Sequence, residues 1–548
     1  MTKKDNAVKT IALMMFISVI GKILGLVREM MFGYNFGTTS MEGTAFTYAS
    51  NLPNQFLDIM FASSITSSFI PIFNNHLENE GKDSAFKLFS NFLSIIIFLA
   101  GIVIFLAAIF SMQIVNIIAP GLDLQTKLLT ARLLKIVLPV LMFSGIAFSM
   151  TGVLQSFGKF NITSAMSIFF NGVIIFYYIF LIKKFGVYGL AVAFTLGWLM
   201  QLLIQIPFLH SQNYKFHFAI DLKSAGIHEI LKLMLPVLVS SWVMPINNLV
   251  NSNVASYIEG GANALKMANT VYIIVTGTFV LSVNNFMFQR LSKLKANNSQ
   301  TEFNSALKIS ISNMFYFLIP LTFILMMFST DIVSILFERG KFDTAATNLT
   351  ARALFFYSIG IVGYGIQTIL NSSFYAAKNG KIPLVSAIIA LVINFLLSFT
   401  LVKFLDIGGP ALASSVAIDF IALFMLVIAN KNKFINRKFL LKIVKIILAS
   451  LFMSVTVFYL YRLLPTSSIF LFKFLSLAIT CLIGFVVYIF ITFLLFHDQA
   501  LIFLVLLTVL IFHLFSNDSF YIFFYYDTNI PRFFLISLFF PSFYPFLT

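Results

Sequence analysis

The sequence predicts an all-α, polytopic membrane protein of about fourteen transmembrane helices, and three observations carry that prediction. Hydrophobic residues make up 59% of the chain, charged residues only 10%, and the mean hydropathy is +0.95. Apolar runs of roughly 20 residues, the length a helix needs to cross the hydrocarbon core, recur along nearly the whole chain. Motifs from the first part of the chain return some 220 residues later. Sheets with open edges are excluded, because lipid offers no partner for unpaired backbone groups.

The predicted spans are 10–34, 44–74, 86–112, 128–157, 161–182, 187–209, 226–257, 263–290, 305–329, 347–376, 383–404, 409–430, 440–463 and 468–496. The first begins after Lys3 and Lys4 and has no small-residue cleavage site, so it reads as a retained helix and not a removed signal. The net charge is +16. The basic residues cluster in short loops and at helix ends, above all Arg290–Lys293–Lys295 and Lys431–Lys433–Arg437–Lys438–Lys442. That pattern is positive-inside topology with both ends of the body in the cytoplasm, and it excludes nucleic acid as the partner. The single Cys481 forms no internal disulfide, and the histidines lack ligand spacing, so no metal site is expected.

The repeat organises the chain. Leu129-Thr130-Ala131-Arg132 returns as Leu349-Thr350-Ala351-Arg352, Gly145 as Gly365 and Gly189 as Gly409, all at offset 220. An offset of six helices preserves orientation, so the repeats are parallel. The expected division is a six-helix lobe over 1–215, a second over 216–432, two additional helices over 433–496 and a divergent Phe-rich apolar tail over 497–548. A central site is expected between the lobes.

The first hairpin, Ile11 to Asn75, carries the chemistry. Lys22, Arg28 and Glu29 lie inside an apolar run, where a charge costs roughly 2.5–3.5 kcal/mol on insertion scales and therefore faces a cavity or a partner. Lys22 and Arg28 stand about 120° apart on the helix, so both can border one cavity. Pro53 and Pro71 interrupt the second run, as gate bends or simple kinks. At membrane depth in the second lobe, Asn394 and Asp419 are candidates for a coupling cation, with helix–helix hydrogen bonding the alternative for Asn394. No GxxxxGK[ST] loop or hydrolytic triad is present, so neither an ATPase nor another enzyme is expected. Glu338, Arg339 and Lys341 read as a solvated turn.

KILGLVRE in the first helix, YASNLPNQFLDIMFASSITSSFIPIFN after it, IAPG at Ile118–Gly121, LFERGKFD at Leu336–Asp343, SSFYAAKNGKIP at Ser372–Pro383 and GGPALASS at Gly408–Ser415 occur in the family order of the MurJ (MviN) flippases. The chain resembles that family over roughly residues 8–496. The resemblance implies a lipid II flippase of the multidrug/oligosaccharidyl-lipid/polysaccharide exporter superfamily. It would move an undecaprenyl-diphosphate-linked muropeptide across the bacterial cytoplasmic membrane by alternating access, with a cationic cavity and a lipid-tail groove on helices thirteen and fourteen.

Residue by residue, Lys22 stands where the family has a cavity Arg, and Arg28 and Glu29 match its Arg and following acid. Thr44 replaces an Asp, Leu57 lies near a family Arg, and Thr270 replaces another, with Lys266 one turn earlier. Lys22, Arg28, Glu29 and Lys266 are thus the expected substrate-binding set, with no cofactor beyond a coupling cation and with cell-wall synthesis proteins as partners besides the lipid substrate and the bilayer. The thinner set of cations keeps other readings open. These are a flippase for a teichoic acid, capsule or O-antigen unit, a cation-coupled drug exporter, and a non-transporting cell-wall scaffold.

Overall fold

The computed structural model describes residues 3–495, apart from 242, 297–298, 378, 431–435 and 465–469. The expected tail over 497–548 lies outside the described residues. All regular structure among the described residues is helical, as the composition requires.

Each predicted span falls on a helix or a broken pair, labelled here in chain order. They are α1 (Lys3–Phe36), α2 (Met41–Ser64, continued through a π-helical turn Ile65–Phe69 into Ile70–Asn79), α3 (Lys82–Ile109), α4 (Leu124–Val137 and Val140–Ser156), α5 (Phe160–Phe180) and α6 (Ile182–Leu203). The second repeat comprises α7 (Ala225–Ser241 and Val243–Ala255), α8 (Gly261–Ala296), α9 (Gln300–Met327), α10 (Thr344–Ile359 and Ile361–Ala376), α11 (Lys381–Leu405) and α12 (Gly408–Ala429). Beyond it stand α13 (Arg437–Leu463) and α14 (Phe470–Leu495). Among the described residues, nine helices are long and apolar enough to cross a membrane, and ten with the pair in α10 that is bent by 44°. The protein is therefore a multi-pass integral membrane protein.

The repeat is visible in local geometry as well as in sequence. Asp123 caps α4 by accepting from the Thr126 N–H at 3.0 Å, and Asp343 caps α10 by accepting from the Ala346 N–H at 2.8 Å. These caps satisfy donors that a helix start would otherwise leave unpaired. Both helices break one third to half way along, at Leu138–Pro139 and at Gly360. Gly186 and Asp406, again 220 apart, share the same left-handed backbone, with φ of 54° and 53°.

The packing crosses the repeat boundary. One large core joins Phe32, Phe36 and Phe46 to Met267, Phe337 and Phe342. The first part of α7 enters the core of the first repeat, with Ile227 and Ile230 beside Phe69, Phe73 and Phe89. The helices α13 and α14 pack on α9, where the Tyr488 hydroxyl donates to the Tyr316 carbonyl at 2.7 Å.

Asp406 gives a direct test of the duplicated backbone. A non-glycine residue there is strained by about 1–3 kcal/mol, which exceeds the ~0.5–1 kcal/mol of extra chain entropy that glycine brings. Asp406→Gly is expected to raise the midpoint of thermal unfolding in detergent, while Gly186→Asp lowers it.

Candidate functional site

Glu29 lies on the face of α1 that turns into the bundle, and it is 2% exposed. A carboxylate so buried must be neutralised by partners. Its Oε1 accepts from Arg28 Nη2 at 2.7 Å, and its Oε2 faces Lys266 Nζ at 3.2 Å, a charge contact outside hydrogen-bond geometry. Arg28 belongs to the first repeat and Lys266, on α8, to the second. One carboxylate thus ties the two halves together. Aromatic faces complete the shell: the Arg28 guanidinium lies 5.2 Å from the Phe170 ring and the Lys266 ammonium 4.5 Å from Phe32. Both cations keep about a fifth to a quarter of their side chains exposed, at 20% and 24%, so an arriving anion can reach them. The triad carries a surplus of one positive charge.

Lys22 is exposed on α1, about 9 Å along the axis before Arg28, and stands outside the triad. Beside it α1 lies close on α5, where the Asn171 amide donates to the Gly21 carbonyl at 3.2 Å. Pro53 is buried within α2. Pro71 opens the segment Ile70–Asn79, where its missing N–H costs little, and the irregularity of this helix is the π-helical turn just before it.

The end of the bundle that the charge pattern assigns to the outside is sewn shut between the repeats. The Thr47 hydroxyl donates to Asn263 Oδ1 at 2.6 Å, and the Asn263 amide donates to the Thr38 carbonyl at 2.6 Å. The Tyr48 hydroxyl donates to the Ser252 carbonyl at 2.8 Å, and the Gly121 N–H to Ser256 Oγ at 2.9 Å. The 338–343 loop crosses the same seam, with the Lys341 N–H donating to the Tyr34 carbonyl at 2.9 Å. Gly37 and Gly340, both with positive φ, permit this backbone approach; a Cβ on Gly37 would overlap the Lys341 carbonyl, and one on Gly340 the Tyr34 carbonyl.

Asn394 and Asp419 are not brought together. The Asn394 amide donates to Asn251 Oδ1 at 3.0 Å and its oxygen accepts from Ser414 at 3.1 Å, in a closed network that also holds Ser398. Asp419 lies five residues beyond Ser414, about 140° round α12, against Gly363 of α10.

A family model described as "Lipid II flippase MurJ" matches residues 32–478. The chain belongs to the MurJ family. A "Probable lipid II flippase MurJ" of Buchnera aphidicola subsp. Acyrthosiphon pisum is 28% identical over 83% of this chain and 90% of that protein. The counterpart from Rickettsia prowazekii is also 28% identical, over 73% of this chain and 80% of its own length. A solved structure titled "Lipid II flippase MurJ, inward closed conformation" covers 89% of this chain at 26% identity, with a TM-score of 0.76. An inward-facing MATE family transporter of the MOP superfamily shares the fold at TM-score 0.63 and 15% identity.

One sequence reading of this MurJ-family chain is corrected. Lys341 is exposed in a turn as expected, but Arg339 is not part of a solvated turn. Phe337 and Phe342 on either side are buried, Arg339 donates to the Leu336 carbonyl at 3.1 Å and stacks 4.7 Å from Phe470 of α14, and Asp343 caps α10. Alternating Phe and Gly in FERGKFD was the available signal. Missed entirely were Asn263 and Thr47 as a bridge between repeats, because two neutral residues 216 apart leave no periodic trace.

Removing Glu29 leaves two like charges facing each other in the bundle, at a cost of about 3–5 kcal/mol. Glu29→Gln is expected to lower the thermal midpoint sharply, and Lys266→Met, which leaves Arg28 paired with Glu29, lowers it less. Glu29→Gln with Lys266→Met together should destabilise less than the sum of the two single changes, by about 1–3 kcal/mol in a double-mutant cycle.

Proposed function

We propose that this chain moves lipid II, an undecaprenyl-diphosphate-linked muropeptide, from the cytoplasmic to the outer leaflet of the bacterial plasma membrane by alternating access. The observation that carries this reading is the Arg28–Glu29–Lys266 triad. It presents one cation from each repeat, and a diphosphate carries two adjacent anionic groups that a guanidinium and an ammonium match through charge-assisted hydrogen bonds. Glu29 holds the two cations at one point and positions Arg28. Lys22, two turns away, receives the rest of the headgroup, and the polyprenyl tail stays in lipid along α13 and α14. The two lobes rock about this site, and the hydrogen bonds of Thr47, Tyr48, Asn263 and the 338–343 loop are the contacts that part when the outer end opens. The membrane potential, worth about 2.3 kcal/mol per charge at 100 mV, is large enough to bias such an equilibrium.

A second reading is a flippase for another undecaprenyl-diphosphate-linked glycan. It is favoured by the neutral residues at Thr44 and Thr270, whose hydroxyls serve Asn263 and the Lys266 carbonyl.

Complementation separates the two. In a host depleted of its lipid II flippase, the wild-type chain is expected to restore growth and outer-leaflet lipid II. Arg28→Ala, inserted to the same level, should lower that exposure roughly ten- to a hundredfold, the equivalent of one charge-assisted hydrogen bond of ~1.5–3 kcal/mol. An inserted wild-type chain that restores an O-antigen or teichoic-acid flippase mutant and leaves lipid II inside would overturn the lipid II assignment.

A further inference from the structure

The outer end of the bundle is clasped twice, and the two clasps are built alike. In one, the 338–343 loop of the second repeat grips the end of α1, the Lys341 N–H donating to the Tyr34 carbonyl at 2.9 Å. In the other, Gly121 of the first repeat grips the turn between α7 and α8, its N–H donating to Ser256 Oγ at 2.9 Å. Each gripped turn contains a glycine of positive φ, Gly37 at 62° and Gly260 at 72°. Lys341 and Gly121 are 220 positions apart, so they hold the same place in the two repeats. The clasps differ in charge: a lysine side chain stands at one where the other has none.

That lysine borders a cavity of about 380 Å³ on the outer face. The cavity is also lined by Tyr34 and Asn35 of α1, Glu42 of α2 and Lys183 of α6. Its volume falls within the roughly 300–1,000 Å³ of small-molecule sites. Tyr34 stands about 9 Å beyond Arg28 along α1, so this is a second site, outside the triad. Lys183, Lys341 and Glu42 are exposed, and none forms an ion pair among the described residues. The clasp uses only the backbone of Lys341, which leaves its ammonium to the cavity. Tyr34 is 53% exposed, so its ring is open to a ligand.

The cavity thus gathers two ammonium groups, one from each repeat, with a carboxylate, an amide and a phenol. Two cations and one anion complement a ligand with two anions and one cation, each contact being a charge-assisted hydrogen bond. A simple inorganic anion would use the lysines and leave Glu42 opposing it. We propose that this cavity is an outer-face binding site for a short acidic peptide with an amino side chain, the peptide part of the exported headgroup. The identity of that peptide rests on the lipid II reading. Lys183 and Lys341 take its carboxylates, Glu42 its ammonium, and Asn35 its backbone. Because both repeats supply the walls, the site is complete only while the outer seam is closed. A peptide bound there favours the closed outer end and keeps the headgroup outside while the lobes reset.

The test uses the purified full chain and soluble peptides, without lipid. Isothermal titration with N-acetyl-Ala-Glu-Lys, which has two carboxylates and one ammonium, is expected to show saturable binding at one site. Lys183→Gln and Lys341→Gln should each weaken it roughly three- to fivefold, the scale of a partly exposed charge pair, and Lys341→Arg should retain it. Glu42→Gln should remove the preference for this peptide over its norleucine analogue. An analogue with Gln for Glu and an amidated end tests the lysines from the ligand side, so the outcome does not depend on any variant folding. No binding by the wild type overturns the proposal. So does unweakened binding of the uncharged analogue or by the double Lys183→Gln, Lys341→Gln variant, and so does sulfate binding as tightly as the peptide at equal ionic strength, which marks a plain anion site. Complementation reads lipid II and this titration a soluble peptide. Peptide binding with failed complementation keeps the site and overturns the lipid II reading, whereas absent binding with successful complementation overturns the site alone.

Discussion

The buried carboxylate of Glu29 is the interaction on which the rest of the structure depends. An acid at membrane depth is intolerable alone, and this one is made tolerable by Arg28 beside it and by Lys266 from the other repeat. Two consequences follow from the same few ångströms. The halves of the molecule are held together at a point that costs several kcal/mol to leave half-made, and two cations are kept converged with a net positive charge. The site proposed for a diphosphate and the joint between the two repeats are here the same three side chains.

Around that joint the outer seam is made of neutral hydrogen bonds and backbone contact. This difference in kind matters. Charges would hold the seam too firmly and would attract the substrate to the wrong place, whereas several hydrogen bonds of about 1 kcal/mol each close a gate that modest energies reopen. The 338–343 loop belongs to this seam and also reaches α14 through Arg339 and Phe470. Its neighbour α10 carries the bend against which Asp419 rests. Gate, bend and the C-terminal helices are therefore mechanically continuous.

Much of this was legible in the sequence. The helices were readable because lipid imposes a length and an apolar composition, and the duplication because it left matching LTAR and glycine positions. The structure repeats even the Asp caps and the left-handed residues at Gly186 and Asp406. Arg28 and Glu29 announced themselves as charges in an apolar run, and Lys266 entered through the family resemblance, one turn before the position of a family Arg. What stayed hidden has physical reasons. Asn263 and Thr47 are polar residues without charge, so nothing in the composition marks them as partners. The FERGKFD loop is rich in charge and reads as solvated, yet its two phenylalanines drive it into the core. Asn394 and Asp419 are both polar groups at membrane depth, and the 140° rotation between Ser414 and Asp419 on α12 separates a satisfied network from a carboxylate that forms no ion pair among the described residues.

The central claim is that one cation from each repeat shares the substrate's charge, and the most direct measurement is the preference for two phosphates over one. Binding of a short-chain polyprenyl diphosphate and of the corresponding monophosphate to the purified full chain gives that preference as a ratio of affinities. The account predicts a clear preference for the diphosphate in the wild type, and its loss in Lys266→Met with the monophosphate affinity nearly unchanged. Equal binding of the two ligands by the wild type, or a preference that survives Lys266→Met, would contradict it.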